Sequence, residues 1–222
     1  MRCQFCHNPD TWAFNKGTLM SVDEILSEMQ KNEAFYKDGG ITATGGEPLV
    51  QIDFLTELFQ KAKSKNIHTC LDSSGVTFNR DNPDYLKKID NLLQYTNLVM
   101  LDIKHIDDEC HKKLTGHTNK NILDFAKYLD EKNIPVWIRH VLVPGITTPT
   151  EYLHALGKFI GSLKNVKALD VLPYHTMAIP KYKQLGIPYP LENVPQATKE
   201  QALQARDEIL RGIKEERSSV AL

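Results

Sequence analysis

The sequence predicts an α/β fold, a parallel sheet covered by helices, and three observations carry that expectation. Helical and strand-like stretches alternate along the chain. The strand candidates are near-continuous apolar runs, as strands buried on both faces are, and each ends in polar or glycine-rich punctuation. At 222 residues the chain can bury one sizeable core, and no linker divides it, so a single domain over residues 1–222 is expected. Apolar content of 41% and charged content of 25% are those of an ordinary globular protein. With 27 basic and 28 acidic residues the net charge is −1, which gives no electrostatic reason to expect nucleic acid or an anionic membrane as partner. No apolar run is long enough to span a bilayer, and the first residues do not read as a secretory signal. Four cysteines, two of them clustered, suit a reducing cytoplasm better than a disulfide scaffold.

Taken in order, Ser21-Val22-Asp23-Glu24 has the form of a capping box, and Val22, Ile25, Leu26 and Met29 keep helical spacing to about Phe35. The β-rich run Gly39-Gly40-Ile41-Thr42-Ala43-Thr44 stops at Gly45-Gly46. Residues 51–66 read as helix, with Phe54, Leu55, Leu58 and Phe59 on one face. A strand over 67–71 is closed by Asp72-Ser73-Ser74-Gly75. Helices are expected at about 83–95, 107–114, 122–132 and 150–163, and a last one at 199–216 with a frayed tail. The five strands fall at about 41–44, 67–71, 98–103, 136–143 and 166–172.

Polar residues gather at the carboxyl ends of these strands: Gly45-Gly46-Glu47, Asp72-Ser73, Asp102 and Lys104, Arg139-His140, and Pro173-Tyr174-His175. In parallel α/β folds that rim holds the binding residues. Glycines after a strand let backbone approach a ligand closely, and Glu47 can fix the loop they form. Asp102 and Lys104 lie one residue apart, hence on one side of their strand, and a plain ion pair is the alternative to a ligand site. Arg139 and His140 are adjacent, so only one can face the interior. At the amino end, Cys3 and Cys6 put two soft sulfur ligands on one turn. The bare spacing suits a zinc knuckle or a redox dithiol equally well. Cys70 and Cys110 read as ordinary buried or half-buried thiols, and His68, His105, His111, His117 and His154 carry no signal.

The residues beyond the cysteine pair are more specific. Cys6-His7-Asn8-Pro9-Asp10-Thr11-Trp12, then Thr44-Gly45-Gly46-Glu47-Pro48 and Leu101-Asp102-Ile103-Lys104, resembles the radical S-adenosylmethionine activating enzymes of glycyl-radical enzymes, over nearly the whole chain. That family's motif is C-x-x-x-C-x-x-C, whose three thiolates hold a [4Fe–4S] cluster. Cys3 and Cys6 match the second and third. The resemblance implies a partial (βα)6 TIM-like barrel, with the first strand and first cysteine missing from this sequence. It also carries the alternatives of a truncated, catalytically inactive piece of such an activase, or the activase of another glycyl-radical enzyme.

The family's activity is implied with it: cluster and S-adenosylmethionine give a 5′-deoxyadenosyl radical, which takes a hydrogen from a backbone glycine of the partner. Cys3, Cys6, Lys104 and Arg139 are the implied catalytic residues. Phe5, His7, Gly45, Gly46, Glu47, Asp102, Lys104, Arg139 and His175 are the implied cofactor contacts. Arg139, not His140, is the one expected to face the interior. A monovalent cation is implied at Asp72, Ser73, Asp102 and the Met100 carbonyl, with Ser73 standing where threonine is usual. The implied partners are pyruvate formate-lyase, suggested by the Asp-Thr-Trp and Trp137-Ile138-Arg139 neighbourhoods, and a flavodoxin-like or ferredoxin-like electron donor. A cytoplasmic monomer serving anaerobic glucose metabolism completes the expectation.

Overall fold

Ser21 opens the first helix as its sequence requires: its hydroxyl accepts the Glu24 N–H (3.3 Å), and Glu24 Oε2 accepts the Ser21 N–H (2.7 Å). The computed structural model describes residues 1–13, 17–32, 34, 36 and 39–220. Helix α1 is Val22–Lys31, shorter than its apolar spacing suggests, and Phe35 lies outside the described residues. The other helices are α2 (Ile52–Ser64), α3 (Pro83–Leu93), α4 (Asp108–Thr115), α5 (Lys120–Glu131), α6 (Thr150–Gly161), α7 (Ile179–Gln184) and α8 (Lys199–Val220). Side chains start several of them. Asn82 Oδ1 accepts from Tyr85 N ahead of α3, and Asp107 Oδ1 accepts from Cys110 N at α4.

The strands are β1 (Gly40–Ala43), β2 (His68–Ser73), β3 (Leu98–Asp102), β4 (Val136–Leu142) and β5 (Val166–Pro173). All are parallel and lie in chain order, β1-β2-β3-β4-β5. Right-handed crossovers between successive neighbours put the connecting helices on one face of such a sheet and leave the other to curl inward. The side chains alternate accordingly. Val99, Leu101, Val136, Ile138 and Leu142 are buried in one cluster with Ile89, Leu92, Ile122, Phe125 and Leu129 of the helices. The residues between them, Asp102, Arg139 and Val141, line a cleft on the opposite face. Register sets the charged ones side by side: Asp102 pairs with Arg139, and Asp72 with Met100, one same-face step earlier.

Two corrections concern the carboxyl-terminal third. Helix α7 has no counterpart in the sequence reading, because it is short and carries Pro180 in its first turn. Helix α8 runs on through residues 217–220, where a frayed tail is expected from the sequence. It packs on α6 at close range through glycines. A Cβ on Gly157 would lie 2.2 Å from the Ile209 carbonyl oxygen, and one on Gly212 would lie 2.4 Å from that of His154. Backbone cannot yield as a flexible side chain does. Gly157→Ala should therefore lower stability by about 1–3 kcal/mol despite alanine's better helix propensity. A shift of the urea midpoint to lower concentration checks this, and an unchanged or raised midpoint contradicts it.

Candidate functional site

The carboxyl ends of the strands and the cysteine segment enclose a cleft of about 440 Å³. Its lining draws Cys3, Phe5, Cys6 and His7 together with Gly45, Gly46, Asp72, Ser73, Asp102, Lys104, Arg139 and His175. Glu47 and Met100 are not part of this lining, but Glu47 bonds Ser73 and Ser74, and Met100 pairs with Asp72 in the sheet. A wider depression of about 750 Å³ between α2 and α3 holds none of these residues.

The cysteine segment reaches the rim through α4. The last carbonyls of a helix lack intrahelical donors. Here Arg2 N donates to Thr115 O (3.3 Å), Gln4 N to Leu114 O (2.9 Å) and the Gln4 side chain to Lys113 O (3.0 Å). A tight turn then brings Cys6 N onto Cys3 O (3.1 Å). Cys3 is buried and Cys6 half-buried. Burial pushes the Cys3 thiol up, against the pull of Lys104. Phe5, between them, is buried among Leu114, Val143, Tyr174 and Leu191, and Lys104 Nζ stands 5.4 Å over its ring. His7 stacks on His175 at 4.1 Å. Burial, then the neighbouring His175, holds His7 below its ordinary value, and its Nε2 has no partner among the described residues.

Glu47 does fix its loop. Its carboxylate accepts from Leu49 N (3.1 Å), Ser73 Oγ (2.7 Å), Ser74 N (3.0 Å) and Ser74 Oγ. The loop after β1 is thereby bolted to the end of β2. Gly45 sits at φ +145°, a conformation that side chains rarely adopt.

Arg139 is the electrostatic centre. Its Nε donates to Asp102 Oδ1 (3.0 Å), while Nη1 (3.1 Å) and Nη2 grip the two oxygens of Asp72. Lys104 Nζ donates to the other Asp102 oxygen (3.1 Å), and Thr44 Oγ1 donates to Asp72. Two carboxylates and two cations thus share the cleft wall. Burial pushes Asp102 up, but Lys104 and Arg139 outweigh it and hold the carboxyl below its ordinary value. Burial pulls Lys104 down, and Asp102 and Cys3 more than restore it. His140 turns away from the cleft, as the alternation requires. It is buried, donates through Nδ1 to Ile103 O (2.8 Å), and is pushed down to about 4 by burial.

Most of the sequence-derived site residues therefore meet at one mouth. The four implied cation ligands are a partial exception. Asp72 and Asp102 bond the Arg139 guanidinium, and the Ser73 hydroxyl bonds Glu47. Neither Thr44 nor Ser74 is among the site residues expected from the sequence, although Thr44 opens the Thr44-Gly45-Gly46-Glu47-Pro48 stretch and Ser74 follows Ser73. Cys70 and Cys110 do not line the cleft. His105, Asp107 and Cys110 bring ligand atoms within 4.8 Å of one another. There His105 Nδ1 already accepts the Asp107 N–H (3.0 Å), and Asp107 caps α4, so a structural role accounts for them.

A parallel sheet in chain order, with a C-x-x-C loop on the rim and a charged cleft beneath it, defines the class. The radical SAM superfamily model matches residues 1–154, and the chain belongs to that superfamily of enzymes. At finer range it is 48% identical over 212 residues to the pyruvate formate-lyase-activating enzyme of Listeria monocytogenes, covering 95% of this chain and 85% of the relative. It is 49% identical over 209 residues to that of Streptococcus mutans, covering 93% and 79%. Within the superfamily the chain falls with these pyruvate formate-lyase-activating enzymes. The fold is matched by the crystal structure of a domain of pyruvate-formate lyase-activating enzyme from Bacteroides vulgatus. Its TM-score is 0.63 at 21% identity, over 78% of this chain and 94% of that one.

Asp102's lowered value sets a pH dependence. Its contribution to stability is complete above its unfolded value of about 3.9 and is lost as pH falls through the lower folded value. Arg139→Gln leaves two carboxylates under-compensated and should cost about 3 kcal/mol at pH 7, the lower end for a broken buried pair because the cleft is open. The gap between parent and variant should close on acidification below about pH 4. Urea titrations across pH 2.5–7 check this, and a gap constant with pH contradicts it.

Proposed function

We propose that this chain, as one radical S-adenosylmethionine domain over residues 1–222, is the activase that installs a glycyl radical on pyruvate formate-lyase. One observation carries the reading: the cysteine pair, the Gly45-Gly46 loop, the Asp102–Lys104 pair, Arg139 and His175 converge on a single cleft from across the sequence. The relatives named for that activity supply the choice of substrate protein.

The donor set fits the implied cofactors. Cys3 and Cys6 offer soft sulfur suited to iron and fill two of the three thiolate positions of the family motif. The cleft beside them has room for a nucleoside and an amino-acid head. When bound, the [4Fe–4S] cluster and S-adenosylmethionine together supply the 5′-deoxyadenosyl radical, and the protein orients and shields them. Lys104 spends one donor on Asp102 and keeps others for a ligand carboxylate, while its ammonium and Phe5 hold each other in place. His7 and His175 offer ring faces and an unpaired Nε2 to the nucleoside. Gly45 and Gly46 open backbone groups to the methionine amine. Arg139 holds Asp72 and Asp102 in register with two of its five N–H groups to spare. A monovalent cation at Asp72, Ser73, Met100 and Asp102 enters as a competitor of that guanidinium for the same oxygens.

The wider reading is of a cytoplasmic monomer that takes its electron from a flavodoxin-like or ferredoxin-like protein. Among the described residues no helix is long and apolar enough to cross a membrane.

The test is anaerobic reconstitution with iron and sulfide, followed by electron paramagnetic resonance of the reduced chain with and without S-adenosylmethionine. A [4Fe–4S]⁺ signal that shifts on adding the cofactor supports the activase, and a glycyl radical on added pyruvate formate-lyase completes the case. A chain that takes up no iron, or a signal indifferent to the cofactor, overturns it. Lys104→Met should weaken S-adenosylmethionine binding by about 10- to 100-fold, the value of one hydrogen bond to a charged group. Equilibrium binding to the loaded protein measures this.

A further inference from the structure

The stretch after Cys6 forms one wall of the cleft without a strand or a long helix to carry it. Asn8, Thr11 and Trp12 line the cleft, and Pro9–Trp12 is a single 3-10 turn. On one side the wall abuts the glycine loop, where a Cβ on Gly46 would lie 3.5 Å from the Thr11 carbonyl oxygen. On the other side α7 holds it by two contacts. Trp12 meets the Tyr182 ring edge-on at 5.8 Å. Lys181 Nζ donates to Asn8 Oδ1 (2.7 Å), with Asp10 Oδ1 at 3.4 Å.

Asn8 is out of character for its place. An asparagine ahead of a helical turn ordinarily sets its side-chain oxygen on the N–H groups of that turn. Asn8 makes no such bond, and the Thr11 N–H and hydroxyl go to its backbone carbonyl instead (3.1 and 2.7 Å). Its side-chain oxygen is given to Lys181, 173 positions further along the chain. A lysine ammonium has donors and no acceptor, so only the amide oxygen can meet it. The bond therefore decides which way round the amide lies, with its oxygen toward α7 and its NH2 group turned away. Among the described residues nothing accepts from that NH2 group.

We propose that Lys181 is a positioning residue that holds the Asn8 amide with its N–H donors toward an oxygen of the bound ligand, which rests on the cofactor reading of the proposed activity. Asn8 follows His7, which that reading sets against the nucleoside. The acceptors that Asn8 serves are then ribose hydroxyls, while Lys104 serves the methionine carboxylate. Without Lys181 the amide is free to turn over, or to fall back on its own helical turn, and the donors leave the cleft.

Equilibrium binding to the iron–sulfur-loaded protein tests this, with S-adenosylmethionine and methionine alone as the two probes. The parent is compared with Lys181→Met and Asn8→Asp. Asn8→Asp separates the two roles of the contact, because a carboxylate keeps and strengthens the tie to Lys181 but has no N–H to give. The expected result is S-adenosylmethionine binding weakened by about 3- to 10-fold in both variants, the worth of one hydrogen bond, with methionine binding unchanged. S-adenosylmethionine bound as tightly by either variant as by the parent overturns the inference and leaves the cofactor reading intact. Methionine binding weakened as much as that of S-adenosylmethionine also overturns it, since the whole wall has then moved. A parent chain that binds no S-adenosylmethionine overturns the cofactor reading and this inference with it.

Discussion

Arg139 standing between Asp72 and Asp102 is the interaction on which the cleft depends. Three adjacent parallel strands each bring one charged side chain to the same inner face, and none of the three could be buried there alone. Isolated carboxylates in that setting would take up protons, and an isolated guanidinium would drive the strands apart. Together with Lys104 they balance, two charges against two, with side chains 13–20% exposed. The balance lets the cleft remain polar without expelling the strands that form it. It also explains why the inner face is charged near the rim while the face toward the helices is largely apolar, its polar exceptions Thr69 and His140 bonding Tyr95 O and Ile103 O.

Glu47 plays the matching part for the loops. Sequential strands hold the β-ends in place, but the segments beyond them have no ladder to obey. One carboxylate taking donors from Leu49, Ser73 and Ser74 ties the loop after β1 to the loop after β2. With the loop pinned on both sides, Gly45 can keep its unusual φ without the segment relaxing into an ordinary turn. The rim is therefore held by electrostatics below and by a hydrogen-bonded clamp above.

The elements that the sequence makes legible are those with a short-range cause. Ser21 and Glu24 signal their helix because the capping box is local, and the apolar runs signal strands because burial on two faces removes alternation. Arg139 facing inward and His140 outward accords with the two-residue repeat of a strand. The cysteine pair and the Gly45-Gly46-Glu47 stretch are legible only through resemblance, since either alone is a common spacing. Helix α7 is not legible because its six residues bury Tyr182 against Trp12, a contact 170 positions away in the chain that no local window sees. The role of Asp72 likewise depends on register, for nothing local says that Arg139 rather than a metal ion meets it.

The anchoring of the cysteine loop has a chemical consequence for ligand uptake. Its backbone docks on the carbonyl end of α4, where the helix carries partial negative charge. Burial and that setting both disfavour a thiolate at Cys3, and Lys104 is the main group that opposes them. On the proposed cofactor reading, iron would bind the Cys3 thiolate and so displace its proton, a step that burial of the thiol makes costly. Lys104 reduces the cost, and it is itself held in place by Asp102 and, through Asp102, by Arg139. The charged group at the floor of the cleft and the sulfur chemistry at its mouth are thus one coupled system. A change at Arg139 should reach the cysteines through two intervening charges without moving the loop that carries them.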